Sequence, residues 1–384
     1  MIFSHIDFKN FKIKKKNLRI KKYLQLILKN EDSVISSLGN GYRLSFNKIK
    51  IIKYKKFLSY RLIGMGGSSL GAQAIYEFLK KKIKKKFTFI DNLETENFKD
   101  NKTKFLNLII SKSGNTIETL VNANILIKKK DKNIFITENK NNSLNLLAQK
   151  LKSEVIHHNN FIGGRYSVLS EVGMLPAELM GLDVKKFKQL NNLTKNKDFI
   201  NSLVSNVAST IFYIKKQKFN SIIINYDPSS KNLLNWYQQL IAESLGKKSK
   251  GILPIISNMP KDNHSVMQLY LDGFKNNFFT FFNSKNNNDV KINNDRIFLN
   301  DEYLRYKSVN QILLSQKNAT ENVFSRKNIP FRSFEIKIKN EKTLGELFCF
   351  FILETILLAH ALNVNPYDQP SVELIKKETK KILI

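Results

Sequence analysis

Short apolar runs alternate with longer stretches of helical periodicity along almost the whole chain. Residues 60–63, 87–90, 105–110 and 133–137 are compact runs rich in Ile, Leu and Phe. They read as strands buried on both faces, as in a parallel sheet. Between them, 70–82, 117–129 and 143–152 carry helical patterns. The second half repeats the style, with strands at 221–225, 252–256, 278–282 and 334–338 and helices at 233–245, 265–271, 309–324 and 344–362. Such alternation predicts an α/β protein of two doubly wound, mainly parallel-sheet units. A Lys/Asn-rich stretch at 184–197 marks the boundary. The expected division is an N-terminal segment 1–50 without a clear pattern, a first α/β domain over 51–190, and a second over 205–384 that includes the C-terminal helices.

Composition narrows the class. The 384 residues suffice for about two domains with a substantial core. Hydrophobic residues make up 42%, yet no apolar run reaches the roughly 18 residues of a membrane span. The nearest candidate, 347–359, carries Glu354 and reads as a buried helix. The N-terminus lacks a signal-peptide pattern. A single cysteine, Cys349, precludes an intrachain disulfide and fits a reducing cytoplasm. The net charge of +32 raises the question of nucleic acid, but 56 of the basic residues are Lys and only 8 are Arg. Base readout and planar phosphate recognition favour Arg. Together with abundant Asn, Ile and Phe, this points to coding bias and solvated surfaces. The lysine runs 80–86 and 128–130 lie at expected helix ends, where cations complement the dipole.

Two loops stand where a strand turns into a helix. Ser111-Lys112-Ser113-Gly114-Asn115-Thr116 follows one buried run, and Gly64-Met65-Gly66-Gly67-Ser68-Ser69-Leu70-Gly71 follows another. Open N–H groups and the positive end of a helix dipole favour an anion at such places. Glycine permits close approach, and hydroxyls add donors. The same residues also serve as helix caps and turns. Neither loop is a P-loop or a dinucleotide fingerprint, so a smaller phosphate ester such as a sugar phosphate fits.

Other groups could do chemistry. Glu243 sits among small and apolar neighbours just before Gly246, and low-polarity surroundings favour the protonated form of a carboxyl. His264 lies where a loop meets a helix and could exchange protons with a sugar oxygen. Arg165, behind Gly163 and Gly164, offers a fixed positive charge for an enolate-type oxygen. Residues 365–370 form a turn signal before a helix containing Glu373, Lys376 and Lys377. His157 and His158 are adjacent and point apart in regular structure, and no other cluster has metal spacing. Taken alone, Glu243, His264 or either lysine is more commonly a surface or capping residue.

In order along the chain, the Gly64–Gly71 and Ser111–Thr116 loops, Gly163-Gly164-Arg165-Tyr166-Ser167, Glu243-Ser244-Leu245-Gly246-Lys247, His264-Ser265 and the segment from Asp368 to Lys376 closely resemble the glucose-6-phosphate isomerase family. The resemblance runs from about residue 60 to 380. It implies two sugar-isomerase-type domains of the bacterial kind and interconversion of glucose 6-phosphate and fructose 6-phosphate through a cis-enediol(ate). It further implies that Glu243 moves the proton between C1 and C2 and that Arg165 stabilises the enediolate. His264 would assist ring opening from the other subunit of a homodimer, and Lys376 would act on the ring oxygen. Gly67, Ser68, Ser111, Lys112, Ser113 and Thr116 would bind the sugar phosphate, with Gly164 and Gln369 contacting substrate. No metal or cofactor is implied. Ser371 departs from the family pattern, which usually has glycine there.

Three rival readings make different demands. An isomerase accepting mannose phosphate differs in the pocket around C2, and Gln369 leans towards the glucose enzyme. A non-catalytic sugar-phosphate sensor would not need Glu243, His264, Arg165 and Lys376 together. A nucleic-acid binder has only the charge in its favour, and its binding would be salt-sensitive.

Overall fold

The apolar runs pair as two five-stranded sheets in the computed structural model, which describes residues 2–13, 15, 17–30, 32–93, 104–285, 290–292 and 302–384. The first sheet contains β2 (Ser59–Ile63), β3 (Lys86–Ile90), β4 (Leu106–Ile110), β5 (Lys132–Glu138) and β6 (Glu154–His158), all parallel, in the order β3-β2-β4-β5-β6. The second contains β1 (Ile6–Lys9), β7 (Asn220–Asn225), β8 (Leu253–Asn258), β9 (Asn277–Ser284) and β10 (Phe331–Ile336), in the order β1-β10-β9-β7-β8. Only β1 runs antiparallel there, pairing Ile6 with Ile336. β4 is buried at every position, as its unbroken Leu-Asn-Leu-Ile-Ile run requires. The α/β class expected from the sequence is therefore what the chain adopts.

Several boundaries differ from the sequence expectation, for local reasons. β10 starts at Phe331, directly after Pro330, and ends before Ile338, which is exposed. β6 and β1 were not foreseen, because both are short edge strands with mixed polarity. The helix expected over 70–82 ends at Phe78, and Lys80–Lys82 form a separate 3-10 turn. The stretch near the boundary opens into a long helix, Lys197–Lys215, capped by the Asn196 side chain.

Both sheets share one winding. From β2 the chain adds β3 on one flank and then crosses to place β4 on the other. From β7 it adds β8 and then crosses to β9. Each sheet thus has a topological switch point, between β2 and β4 and between β7 and β9, where α/β sheets open a crevice at their carboxyl ends. The helices after β2 and β7, Leu70–Phe78 and Lys231–Leu245, pack side by side and antiparallel. The start of each lies beside the end of the other.

The helix Glu341–Leu362 fills the core behind this pair. It is long and apolar enough to cross a membrane, but 89% of its apolar window is inside the protein. Asn340 caps its start and Asn363, at φ +55°, its end. Each buried Leu or Phe on it contributes about 1.5–3 kcal/mol relative to exposure. Its one mid-helix charge, Glu354, is fully paired: it accepts from Arg332, from Asn206 Nδ2 at 2.6 Å and from Tyr237 Oη at 2.9 Å. Burying a carboxylate without such partners would cost several kcal/mol. Tyr237 belongs to helix Lys231–Leu245, so this network also fixes the helix that carries Glu243.

Candidate active site

The crevice between β2 and β4 is built from two helix starts that their own side chains leave uncapped. Thr116 precedes helix Ile117–Leu126, but its hydroxyl lies 2.9 Å from Ser111 Oγ and makes no cap bond. Ser69 likewise makes no cap bond to helix Leu70–Phe78. Open N–H groups at both starts suit an anion. Gly114, at φ +69°, donates its N–H to Ser111 Oγ at 3.2 Å, and a Cβ there would lie 2.2 Å from Asn142. Ser113 is exposed, and Lys112 Nζ reaches Glu138 Oε1 at 3.3 Å. Lys112 therefore stands partly neutralised at the loop, while Glu138 also holds Lys140 at 2.9 Å.

Glycine allows the two loops of the first half to meet. A Cβ on Gly67 would sit 2.2 Å from the backbone carbon of Gly164, so only two bare backbones can pass there. That contact joins the turn Gly66–Ser68 to the 3-10 helix Gly164–Leu169, which carries Arg165. Trp236 Nε1 donates to the Arg165 carbonyl at 3.1 Å, locking the turn to helix Lys231–Leu245.

Arg165 is the organising group, 2% exposed, with all five of its N–H donors engaged. Nε donates to Ser244 Oγ at 2.8 Å. Nη1 donates to Glu243 Oε2 at 3.3 Å and to Gln369 Oε1 at 2.7 Å. Nη2 donates to the carbonyls of Pro366 and Asp368. From Ser244 the chain of hydrogen bonds continues to Tyr166 Oη at 2.8 Å, and Tyr166 donates to the Pro366 carbonyl at 3.1 Å. Burial raises the Tyr166 pKa, which keeps the phenol a neutral donor.

Glu243 is 27% exposed, held by Arg165 on one oxygen and by Gln239 Nε2, at 2.8 Å, on the other. Gln239 also lies against the first loop, since a Cβ on Gly66 would approach its amide nitrogen to 2.8 Å. The base candidate thus bridges Arg165 and the glycine loop. A second tie comes from Lys247, whose ammonium meets Asp368 Oδ1 at 2.9 Å. The hydrogen bond from Lys247 holds the Asp368 carboxyl below its ordinary range, while burial lowers the pKa of Lys247 despite that partner. The turn 365–369 is in this way pinned by Arg165, Tyr166 and Lys247 together.

The structure brings together Gly67, Ser68, Gly164, Arg165, Glu243 and Gln369, and it places Ser111, Lys112, Ser113 and Thr116 at the neighbouring strand end. It leaves two sequence candidates outside. His264 ends the exposed turn Lys261–His264. Lys376 lies on helix Pro370–Leu383, which has no buried residue, and its ammonium pairs with Glu373 at 2.6 Å. Among the described residues, no hydrogen bond joins either to the Arg165 group. Gln239, Ser244, Trp236 and Lys247 were missed by sequence reasoning. Gln239 was findable, four residues before Glu243 on a helix, where side chains meet. The others needed tertiary contacts.

The geometry can hold an anion at the helix starts and a carboxylate beside a fixed guanidinium. Among the described residues, no group of three or more His, Cys, Asp or Glu is placed to hold a metal ion. Comparison with known proteins bears on the family and the fold. The model of the phosphoglucose isomerase family matches residues 50–384. A relative named glucose-6-phosphate isomerase from Methanocaldococcus jannaschii is 33% identical over 376 residues, covering 92% of this chain and 91% of its own. The fold matches a hypothetical protein from Thermus thermophilus with a TM-score of 0.83 at 23% identity, over 95% of this chain and 94% of that one. It also matches a glucose-6-phosphate isomerase from Chlamydia trachomatis with a TM-score of 0.71 at 18% identity, over 88% and 72% of the two chains. With its Gly67, Arg165 and Glu243 loops assembled in one crevice and the family pattern matched from residue 50 to its last residue, the chain belongs to the phosphoglucose isomerase family.

Proposed function

We propose that this chain is an aldose-ketose isomerase that interconverts glucose 6-phosphate and fructose 6-phosphate, a step of glycolysis and gluconeogenesis. The observation that carries the reading is the pairing of Glu243 with Arg165 beside two uncapped helix starts. The phosphate sits against Ser111, Lys112, Ser113 and Thr116, with Gly67 and Ser68 closing over it and Gly164 and Gln369 contacting the sugar. This anchor fixes C1 and C2 near Glu243, so the carbon acid and the base meet without a bimolecular search.

In the open-chain aldose, Glu243 takes the proton from C2. The electron pair forms the C1–C2 double bond, and negative charge collects on O1, where Arg165 offsets it. Protonated Glu243 then returns its proton to C1 while the O2 proton passes to O1, so that O2 becomes the ketone oxygen and O1 a hydroxyl. Atoms and electrons balance within the sugar, and no redox partner is consumed. His264 from a second subunit and Lys376 assist ring opening, which makes the enzyme a homodimer. The exposure of both groups in one chain supports that reading. We assign the chain to the bacterial type with two sugar-isomerase domains, 51–190 and 205–384, acting in the cytoplasm without nucleic acid or membrane.

The test is conversion of fructose 6-phosphate by purified protein with EDTA present, comparing wild type with Glu243→Gln and measuring glucose 6-phosphate and mannose 6-phosphate separately. Wild type yields glucose 6-phosphate, and the variant loses about 10²–10⁴-fold in rate. Absence of turnover by folded, dimeric wild type would leave a sugar-phosphate sensor in place of an enzyme.

A further inference from the structure

The second switch point, between β7 and β9, has a crevice of its own. A cavity of about 620 Å³ opens there, lined by Asp227 and Ser229 after β7, Lys285 after β9 and Lys337 and Lys339 after β10. It is therefore the topological counterpart of the crevice that holds Ser111–Thr116 in the first sheet. The antiparallel helix pair extends the correspondence. The end of helix Lys231–Leu245 brings Glu243 over the first crevice, and the end of helix Leu70–Phe78, with Glu77 and the turn Lys80–Lys82, lines the second.

The chemistry of the two crevices differs. In the second, a buried internal carboxylate stands in the turn after β7: Asp227, 4% exposed, accepts from Ser230 Oγ at 2.5 Å, Ser229 Oγ at 3.0 Å and Lys339 Nζ at 2.7 Å. The rest of the lining is rich in lysine. Six of the 13 lining residues are Lys, against 56 of 384 in the whole chain, so the cluster exceeds what composition alone supplies. The lysines form two banks, Lys80–Lys82 on one wall and Lys285, Lys337 and Lys339 on the other. Most are engaged: Lys82 pairs with Glu341 at 2.7 Å, Lys337 with Asp7 at 2.8 Å, Lys285 with Glu335 at 3.8 Å and Lys339 with Asp227 at 2.7 Å, and Lys80 lies over the Tyr76 ring. Ion pairs of half-exposed lysines are weak and readily exchanged. An anion carrying two phosphoryl groups can draw on both walls at once, and lysine serves it as a mobile point charge. The cavity is of a size that holds small ligands.

We infer that this second crevice is a separate binding site for a small, doubly phosphorylated anion, distinct from the sugar-phosphate crevice. The probe is inorganic pyrophosphate, titrated by calorimetry into the full chain at physiological ionic strength. Four proteins are compared: wild type, Lys112→Ala, the double variant Lys285→Ala/Lys337→Ala, and a control, Lys129→Ala/Lys130→Ala, that removes two exposed lysines elsewhere. The inference expects a site that Lys285→Ala/Lys337→Ala weakens at least tenfold and that Lys112→Ala and the control retain. Thermal melts establish that each variant is folded. No saturable binding to wild type, an unchanged affinity in Lys285→Ala/Lys337→Ala, or an equal loss in the control would each overturn it.

Discussion

The surroundings of Arg165 and the helix Pro370–Leu383 begin only a few residues apart in space, since Gln369 belongs to both, yet they obey opposite rules. Around Arg165 each donor has its acceptor and the guanidinium is almost wholly buried. On the helix no residue is buried, Leu374 and Ile375 are 64% and 70% exposed, and Lys376 holds only Glu373. A charge whose position must not vary is fixed inside one chain. On the proposed reading Lys376 acts from a surface that this chain leaves open, and the proposed homodimer would cover the apolar Leu374 and Ile375 beside it.

Replacement of Arg165 by Met breaks this contrast most severely. Five donors vanish, Ser244 and the Pro366 and Asp368 carbonyls lose partners, and the turn 365–369 keeps only its ties to Tyr166 and Lys247. We expect kcat to fall by about 10²–10³-fold and stability by about 3–5 kcal/mol, read from initial rates and urea melts. Lys376→Ala sharpens it from the other side. Its pair with Glu373 is exposed and worth at most about 0.5 kcal/mol, so melts should be unmoved while kcat drops about tenfold or more. A parallel loss of stability would mean that the helix is part of the fold's core.

A pH dependence arises at the far end of the turn that carries Arg165. Lys188, 6% exposed, donates to the carbonyls of Leu169 and of Ser37, and burial lowers its pKa from 10.5 to about 8. Between those values the unfolded chain binds the proton and the folded chain releases it. Stability should therefore rise as pH increases from about 8 towards 10.5, by at most on the order of 3 kcal/mol. Lys188→Met should lack that slope in urea melts compared at the two ends of the window.

Much of the fold was legible because parallel strands are long apolar words in a polar text. β4 and β9 could hardly be anything else. β1 and β6 were not legible, since an edge strand needs little hydrophobicity of its own and takes its identity from a neighbour. The helix Lys197–Lys215 was hidden by its Lys/Asn-rich lead-in, although Asn196 is an ordinary N-cap. The site divides similarly. The loops at 64–71 and 111–116 announce anion binding through local composition. The meeting of Arg165 with Gln369, 204 positions later, has no local signature. Only the ordered resemblance to a family pointed there.

The place of β1 has a consequence for how the molecule is made. The segment is translated well before its ladder partner β10, which lies 330 positions later, Ile6 opposite Ile336. At typical synthesis speeds the interval is roughly 15–65 s. Throughout it, Phe8 has its neighbour Phe3 but lacks Phe334 and Phe350, the rings it finally packs against. An edge strand that precedes its partner by so much sequence is seated late, after the sheet it joins has been made.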